Sequence, residues 1–182
     1  MKRSLVLVSL FCCLAMFSGC KSPFTQKVVD DINENSNLEI GLLTPSAEVD
    51  FSDYGIIPGF GVTGYYDKKY GDYDSDFDTF YECCVWYNVT SYPDAVIGES
   101  HITGIEITDP DIFIYGYSVG DSSEEFADFL EDKGFDKYYD SNTFMKFDKG
   151  KVEIRCGIDI ETKEINALYV GVDTTNLLGV IY

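Results

Sequence analysis

Residues 151–161 read Lys-Val-Glu-Ile-Arg-Cys-Gly-Ile-Asp-Ile-Glu. Val152, Ile154, Cys156, Ile158 and Ile160 alternate with Lys151, Glu153, Arg155, Asp159 and Glu161. A period of two describes a β-strand with one face in a core and the other in water. Just upstream, residues 143–147 form a short apolar strand, and Asp148-Lys149-Gly150 supplies a hairpin turn. Downstream, Glu161-Thr162-Lys163-Glu164 turns the chain into a further strand over 165–172. The segment before this meander, residues 121–134, is DSSEEFADFLEDKG. Ser122 with Glu125 makes a capping box, and Asp121 with Glu124 offers an alternative register. Acids in the first turn suit the helix dipole. Phe126, Ala127, Phe129 and Leu130 line one face, Gly134 ends the helix and Phe135 packs behind it. One helix followed by an antiparallel meander predicts an α+β body.

Working outward, Asp109-Pro110-Asp111 is a turn between an extended run at 112–117 and a strand at 102–108. Residues 91–101 form a loop containing Pro93, Gly98 and His101, with His101 read as a surface polar residue. Residues 80–90, FYECCVWYNVT, read as one long strand. Tyr81, Cys83, Val85, Tyr87 and Val89 share its core face, while Phe80, Glu82, Cys84, Trp86 and Asn88 share the other. On that second face Phe80 and Trp86 are the candidate contact surface. With a short helix expected at 64–70, residues 55–108 form a weaker copy of the unit at 112–172. The fold class is therefore α+β, two small helix-plus-antiparallel-sheet repeats packed together, one over 38–111 and one over 112–182. Residues 38–53 are ambiguous, with a candidate strand at 40–43.

The chain opens with MKRSLVLVSLFCCLAMFSGC, residues 1–20. Lys2 and Arg3 precede an apolar run, and Ser18-Gly19 leads into Cys20, the layout of a secretory signal. The run is about 13 residues against the roughly 20 needed to span a bilayer. Phe17-Ser18-Gly19-Cys20 resembles the lipobox of bacterial lipoproteins. That resemblance implies diacylglycerol on the Cys20 sulfur and removal of residues 1–19. Residues 20–37 then read as the lipidated cysteine and a short polar tether, with one helical turn around 24–32, holding the body off the bilayer. Lys21 stands after the cysteine, and by resemblance to lipoprotein sorting rules the absence of Asp there disfavours inner-membrane retention in a two-membrane cell; in a one-membrane cell the protein would face outward. The expected location is the cell membrane or outer membrane, lipid-anchored and extracytoplasmic.

Removal of residues 1–19 leaves 11 basic against 32 acidic side chains, a net −21. Such a surface repels phosphate backbones, which excludes nucleic acid as a partner, and it repels anionic lipid headgroups as well. At 45% hydrophobic and 15% aromatic, the chain has material for a core. Cys20 is committed to lipid, leaving Cys83, Cys84 and Cys156, an odd number. Either one pair bridges, or all three are buried thiols packing as small hydrophobes, which is the favoured reading. No CxxC spacing supports a redox or zinc site.

Two motifs fail on context. Gly59-x-Gly61-x-x-Gly64 has dinucleotide-binding spacing, but Pro58 precedes it and no apolar-faced helix follows. No cofactor is therefore expected. Asp72, Asp74, Asp76 and Asp78 alternate like the start of a calcium loop, the only candidate metal ligands. Phe77 stands where such a loop needs Gly, and Cys83 where it needs a bidentate Glu. Neither a Gly-x-Ser-x-Gly elbow nor a His-Glu-x-x-His helix is present, and His101 is the one histidine. No catalytic residue is assigned. The expected function is a membrane-anchored, non-catalytic protein-binding module with a protein partner. The alternatives are a secreted hydrolase using two carboxylates and a calcium-stabilised structural module.

Residues 118–130, SVGDSSEEFADFL, then 144–154, FMKFDKGKVEI, and the final strand resemble the β-lactamase-inhibitor-like fold shared with small outer-membrane-assembly lipoproteins of the SmpA/OmlA type. The resemblance implies a tandem helix-plus-sheet body whose exposed sheet surface binds proteins. It implies no inhibition of an enzyme.

Overall fold

The computed structural model describes residues 23–58, 63–67, 73–74, 79–80, 85–91 and 100–173; of 57–58, 63, 67, 73–74, 79–80 and 85–91 it describes the backbone alone. The elements run α1 (Pro23–Glu34), a 3-10 turn (Ser46–Glu48), β1 (Tyr54–Pro58), β2 (Thr63–Asp67), β3 (Tyr73–Asp74), β4 (Thr79–Phe80), β5 (Val85–Ser91) and β6 (Ser100–Ile107). The second half gives α2 (Ser123–Asp132), β7 (Asp136–Asp140), β8 (Phe144–Lys149), β9 (Val152–Ile158) and β10 (Ile165–Val172). Eight strands make one sheet in the order β1-β2-β5-β6-β10-β9-β8-β7, and β3 pairs with β4 separately. All pairings are antiparallel. The protein is α+β.

Each half contributes one helix and four strands to the main sheet, and the halves meet where β6 pairs with β10. That seam is apolar on the core side. Leu168 faces Ile107 and Val170 faces Ile105, all fully buried. The alternation read in residues 151–161 is realised in β9, where Val152, Ile154, Cys156 and Ile158 enter the core. Phe126 and Leu130 of α2 and Val29 and Ile32 of α1 pack into the same core, each 0% exposed.

The tether expected over 20–37 is thus corrected: the single helical turn expected at 24–32 is a full helix from Pro23 to Glu34, and it packs in the core. Thr25, Val28, Val29 and Ile32 recur at helical spacing and are buried, while the polar residues between them face outward. A polar average concealed an apolar stripe. The candidate strand at 40–43 is also corrected. Leu43 takes φ +60°, and this stretch is a turn. Asn33 brackets it, accepting from the Leu42 N–H at 2.9 Å and donating to its carbonyl at 3.1 Å. The helix expected at 64–70 is replaced by β2, paired with β1 through a register that sets Gly64 opposite Ile57. Residues 112–117 are no extended run; Tyr115 and Gly116 both have positive φ, and Ile114 and Tyr117 bond each other's backbone. The Tyr115 hydroxyl donates to Asp31 at 2.8 Å, tying this turn to α1.

Ile160, expected in the core, is 55% exposed. Asp159 accepts from the N–H groups of Glu161 and Thr162, and that turn ends the strand at Ile158. β7, DKYYD, had no period-two signal because it is an edge strand exposed along its whole length. His101 lies in β6 and is 9% exposed, not in a surface loop; the backbone of Pro45 bridges to it. The turn expected over 148–150 does contain Gly150, with φ +67°, but β8 runs on to Lys149 and the reversal takes Gly150 and Lys151.

Ser122 caps α2, its hydroxyl accepting from the Glu125 N–H at 3.3 Å, so the Ser122–Glu125 register holds. Ser122→Ala is expected to cost about 1 kcal/mol. A thermal melt followed by circular dichroism reads this as a fall of roughly 2–4 °C. Cys156 is a free thiol buried in β9, and burial pushes it up to about 12. The unfolded thiol ionises near pH 9 and the folded one does not. The unfolded state therefore holds fewer protons in that window, and stability falls as pH rises from about 9 towards 12. Cys156→Ala is expected to flatten that alkaline loss in urea melts at stepped pH. Cys83 and Cys84 lie outside the described residues.

Candidate functional site

Directly opposed residues of an antiparallel pair share a face. Following the registers from β8 gives a row Lys146–Arg155–Tyr169–Glu106 across β8, β9, β10 and β6. The adjoining positions are Trp86 of β5, paired with Glu106, and Tyr66 of β2, paired with Trp86. This row alternates with the core row Phe147–Ile154–Val170–Ile105. Both described helices pack on the core row, so the Lys146–Arg155–Tyr169–Glu106 row lies on the sheet's opposite face, which is helix-free among the described residues.

Arg155 sits near the middle. Its guanidinium stands 4.5 Å from the centre of the Tyr169 ring, a cation–π contact. Its Nε also donates to Glu153, whose other oxygen accepts from the Tyr138 hydroxyl. The Tyr138 hydroxyl is raised to about 12, by loss of solvent first and then by Glu153. Burial raises the Glu106 carboxyl above the ordinary range, and Arg155 partly offsets that. Burial likewise raises the Tyr169 hydroxyl against the pull of Arg155. On the neighbouring strands, Tyr139 stacks on Phe144 with ring centres 4.8 Å apart. The Lys146 ammonium lies 5.4 Å from the centre of the Phe144 ring.

Gly171 makes this arrangement sterically permissible. A Cβ there would stand 2.3 Å from the Tyr169 hydroxyl oxygen, so the ring lies along the strand where a side chain would otherwise be. Two open hollows flank the Arg155–Tyr169 pair. One, of about 530 Å³, is lined by Glu106, Phe144, Lys146 and Gly157. The other, of about 420 Å³, is lined by Tyr138, Lys151, Glu153 and Gly171. The surface thus offers cations held over rings, one carboxyl biased toward its neutral form, and glycines that keep the backbone within reach. That is chemistry for recognition, since aromatic and Arg side chains dominate contact energy.

The sequence-derived site residues are distributed unevenly. Phe80 belongs to β4 and Trp86 to β5, so they do not share one strand as expected. Residues 81–84 lie outside the described residues. Asp74 pairs with Thr79 in the β3–β4 ribbon; Asp72, Asp76 and Asp78 lie outside the described residues, as does Cys20. Sequence reasoning missed Arg155, Tyr169, Glu106 and Lys146, having read Glu153 and Arg155 as a solvated face. One signal was available: Arg155 is the sole arginine after Arg3.

No protein-family model and no curated protein matches the chain. Among solved structures, a cysteine-rich secretory protein from Staphylococcus aureus subsp. aureus Mu50 is similar at 13% identity and a TM-score of 0.41, over 65% of this chain. The match spans 38% of that protein's length.

Proposed function

We propose that this protein is a lipid-anchored, extracytoplasmic module that works by binding another protein through the helix-free face of its sheet. The observation that carries the reading is the Lys146–Arg155–Tyr169–Glu106 row, which presents aromatic and cationic groups on a body that is otherwise strongly acidic. The row is half-buried to exposed and lies off the core, so packing of the core does not account for it. Cys20 and the signal-like residues 1–19 support the anchor. Glu153, shared between Arg155 and Tyr138, is engaged in holding that face rather than free as a second catalytic carboxylate.

The anchor is tested by the mass of the leading peptide of protein taken from bacterial envelopes. A peptide beginning at Cys20 with a diacylglycerol addition is expected, and an unmodified one contradicts the anchor. The contact is tested by co-purifying partners from those envelopes with wild type and with Tyr169→Ala. A discrete partner lost in the variant supports the reading; a partner retained equally contradicts it.

A further inference from the structure

The helix α1 begins at Pro23, so Lys21 and Ser22 are the whole chain between Cys20 and a helix fixed in the core. Even fully extended, three Cα–Cα steps reach only about 11 Å. A lipid on Cys20 would therefore leave the folded body no room to stand off. One end of the molecule must lie against the bilayer, and the contacts around Pro23 say which end.

Phe24 is 53% exposed and lies against the β8–β9 turn, where a Cβ added at Gly150 would come within 2.8 Å of its ring. The C-terminus of α2 is at the same end, since the Lys149 ammonium donates to the Lys133 carbonyl at 2.5 Å. The charged groups there are Lys27, Lys133, Lys137, Lys149 and Lys151 among Asp31, Glu131, Asp132, Asp136, Asp148 and Asp173, with Lys133 on Asp31 and Lys137 on Glu131. This end mixes both signs in near-equal number. The far end of β9, about 20 Å away at strand rise, does not. There the Asp159–Glu164 turn bonds to the start of α2 through Ser123 and Lys163. Asp121, Glu124, Glu125, Asp159, Glu161 and Glu164 are all exposed around the single Lys163.

We infer that the protein sits on its membrane by the Phe24–Gly150 end, with the acidic end pointing away and the sheet standing upright. The occupant of that end is the bilayer that carries the Cys20 acyl chains, so the inference rests on the anchor proposed above. Phe24 meets the headgroup region as an apolar contact, the mixed charges minimise repulsion there, and the six acids are kept farthest from an anionic surface. The binding row on the sheet then faces sideways, open to a partner in the same plane.

The test uses the full chain purified from envelopes and reconstituted in phosphatidylcholine–phosphatidylglycerol vesicles. Its reference is a variant with a 20-residue Gly-Ser insertion between Ser22 and Pro23, on the same vesicles. Amide hydrogen exchange at residues 148–151 is expected to be about tenfold slower in the wild type, with residues 159–164 exchanging alike in both. Equal rates at 148–151 in lipidated, vesicle-bound protein overturn the inference alone, as does protection confined to 159–164. An unmodified leading peptide by mass overturns the anchor and this orientation with it.

Discussion

Ile32→Ala is expected to destabilise the protein by about 2–5 kcal/mol, the range for deleting a large aliphatic side chain from a packed core. Ile32 is 0% exposed and belongs to the same cluster as Phe126, Leu130 and Ile154. Because α1 lies only three positions after Cys20, a residue in a tether would show no such cost. The expected reading is a lowered urea midpoint with an unchanged slope, since the surface exposed on unfolding is the same. Glu34→Ala, at an exposed position on the same helix, should move the midpoint little. A midpoint for Ile32→Ala within error of the wild type would remove α1 from the core.

Arg155→Glu is expected to have the largest effect on binding. The substitution removes the cation over Tyr169 and sets a carboxylate beside Glu153 and near Glu106. Partner affinity is expected to fall about 30-fold or more, the loss of roughly 2 kcal/mol typical of a contact hot spot. Stability should change far less, because the Arg155 side chain is 47% exposed and exposed ion pairs contribute little. Lys163→Glu makes the same change in net charge at the far turn and should leave affinity intact. Equal losses from both variants would point to overall charge, not to this face.

The second half of the fold was legible in residues 121–172 because each signal there was local. Ser122 with Glu125 marked the start of α2, and alternation marked β9. The same alternation misplaced Ile160, since period two does not say where a side chain such as Asp159 will turn the backbone. The first half was harder. Its helix hides its apolar stripe among Gln26, Lys27, Asp30 and Asp31, and its strand β2 is glycine- and tyrosine-rich without clear alternation. The pairing of β6 with β10, which joins the halves, is a long-range contact no local pattern encodes. The row on the helix-free face is the extreme case. Lys146, Arg155, Tyr169 and Glu106 come from four strands and are brought together only by the strand registers. In a single strand, Arg155 between Glu153 and Asp159 looks like any solvated residue.

The most direct measurement places a photo-crosslinking benzoylphenylalanine at Tyr169, and separately at Glu124 on the exposed side of α2, in cells making the lipidated protein. Irradiation is expected to give a discrete crosslinked species from position 169 and none from position 124. The reverse pattern, or no adduct from position 169 while the protein remains folded and membrane-bound, would show that the helix-free face is not where this protein works.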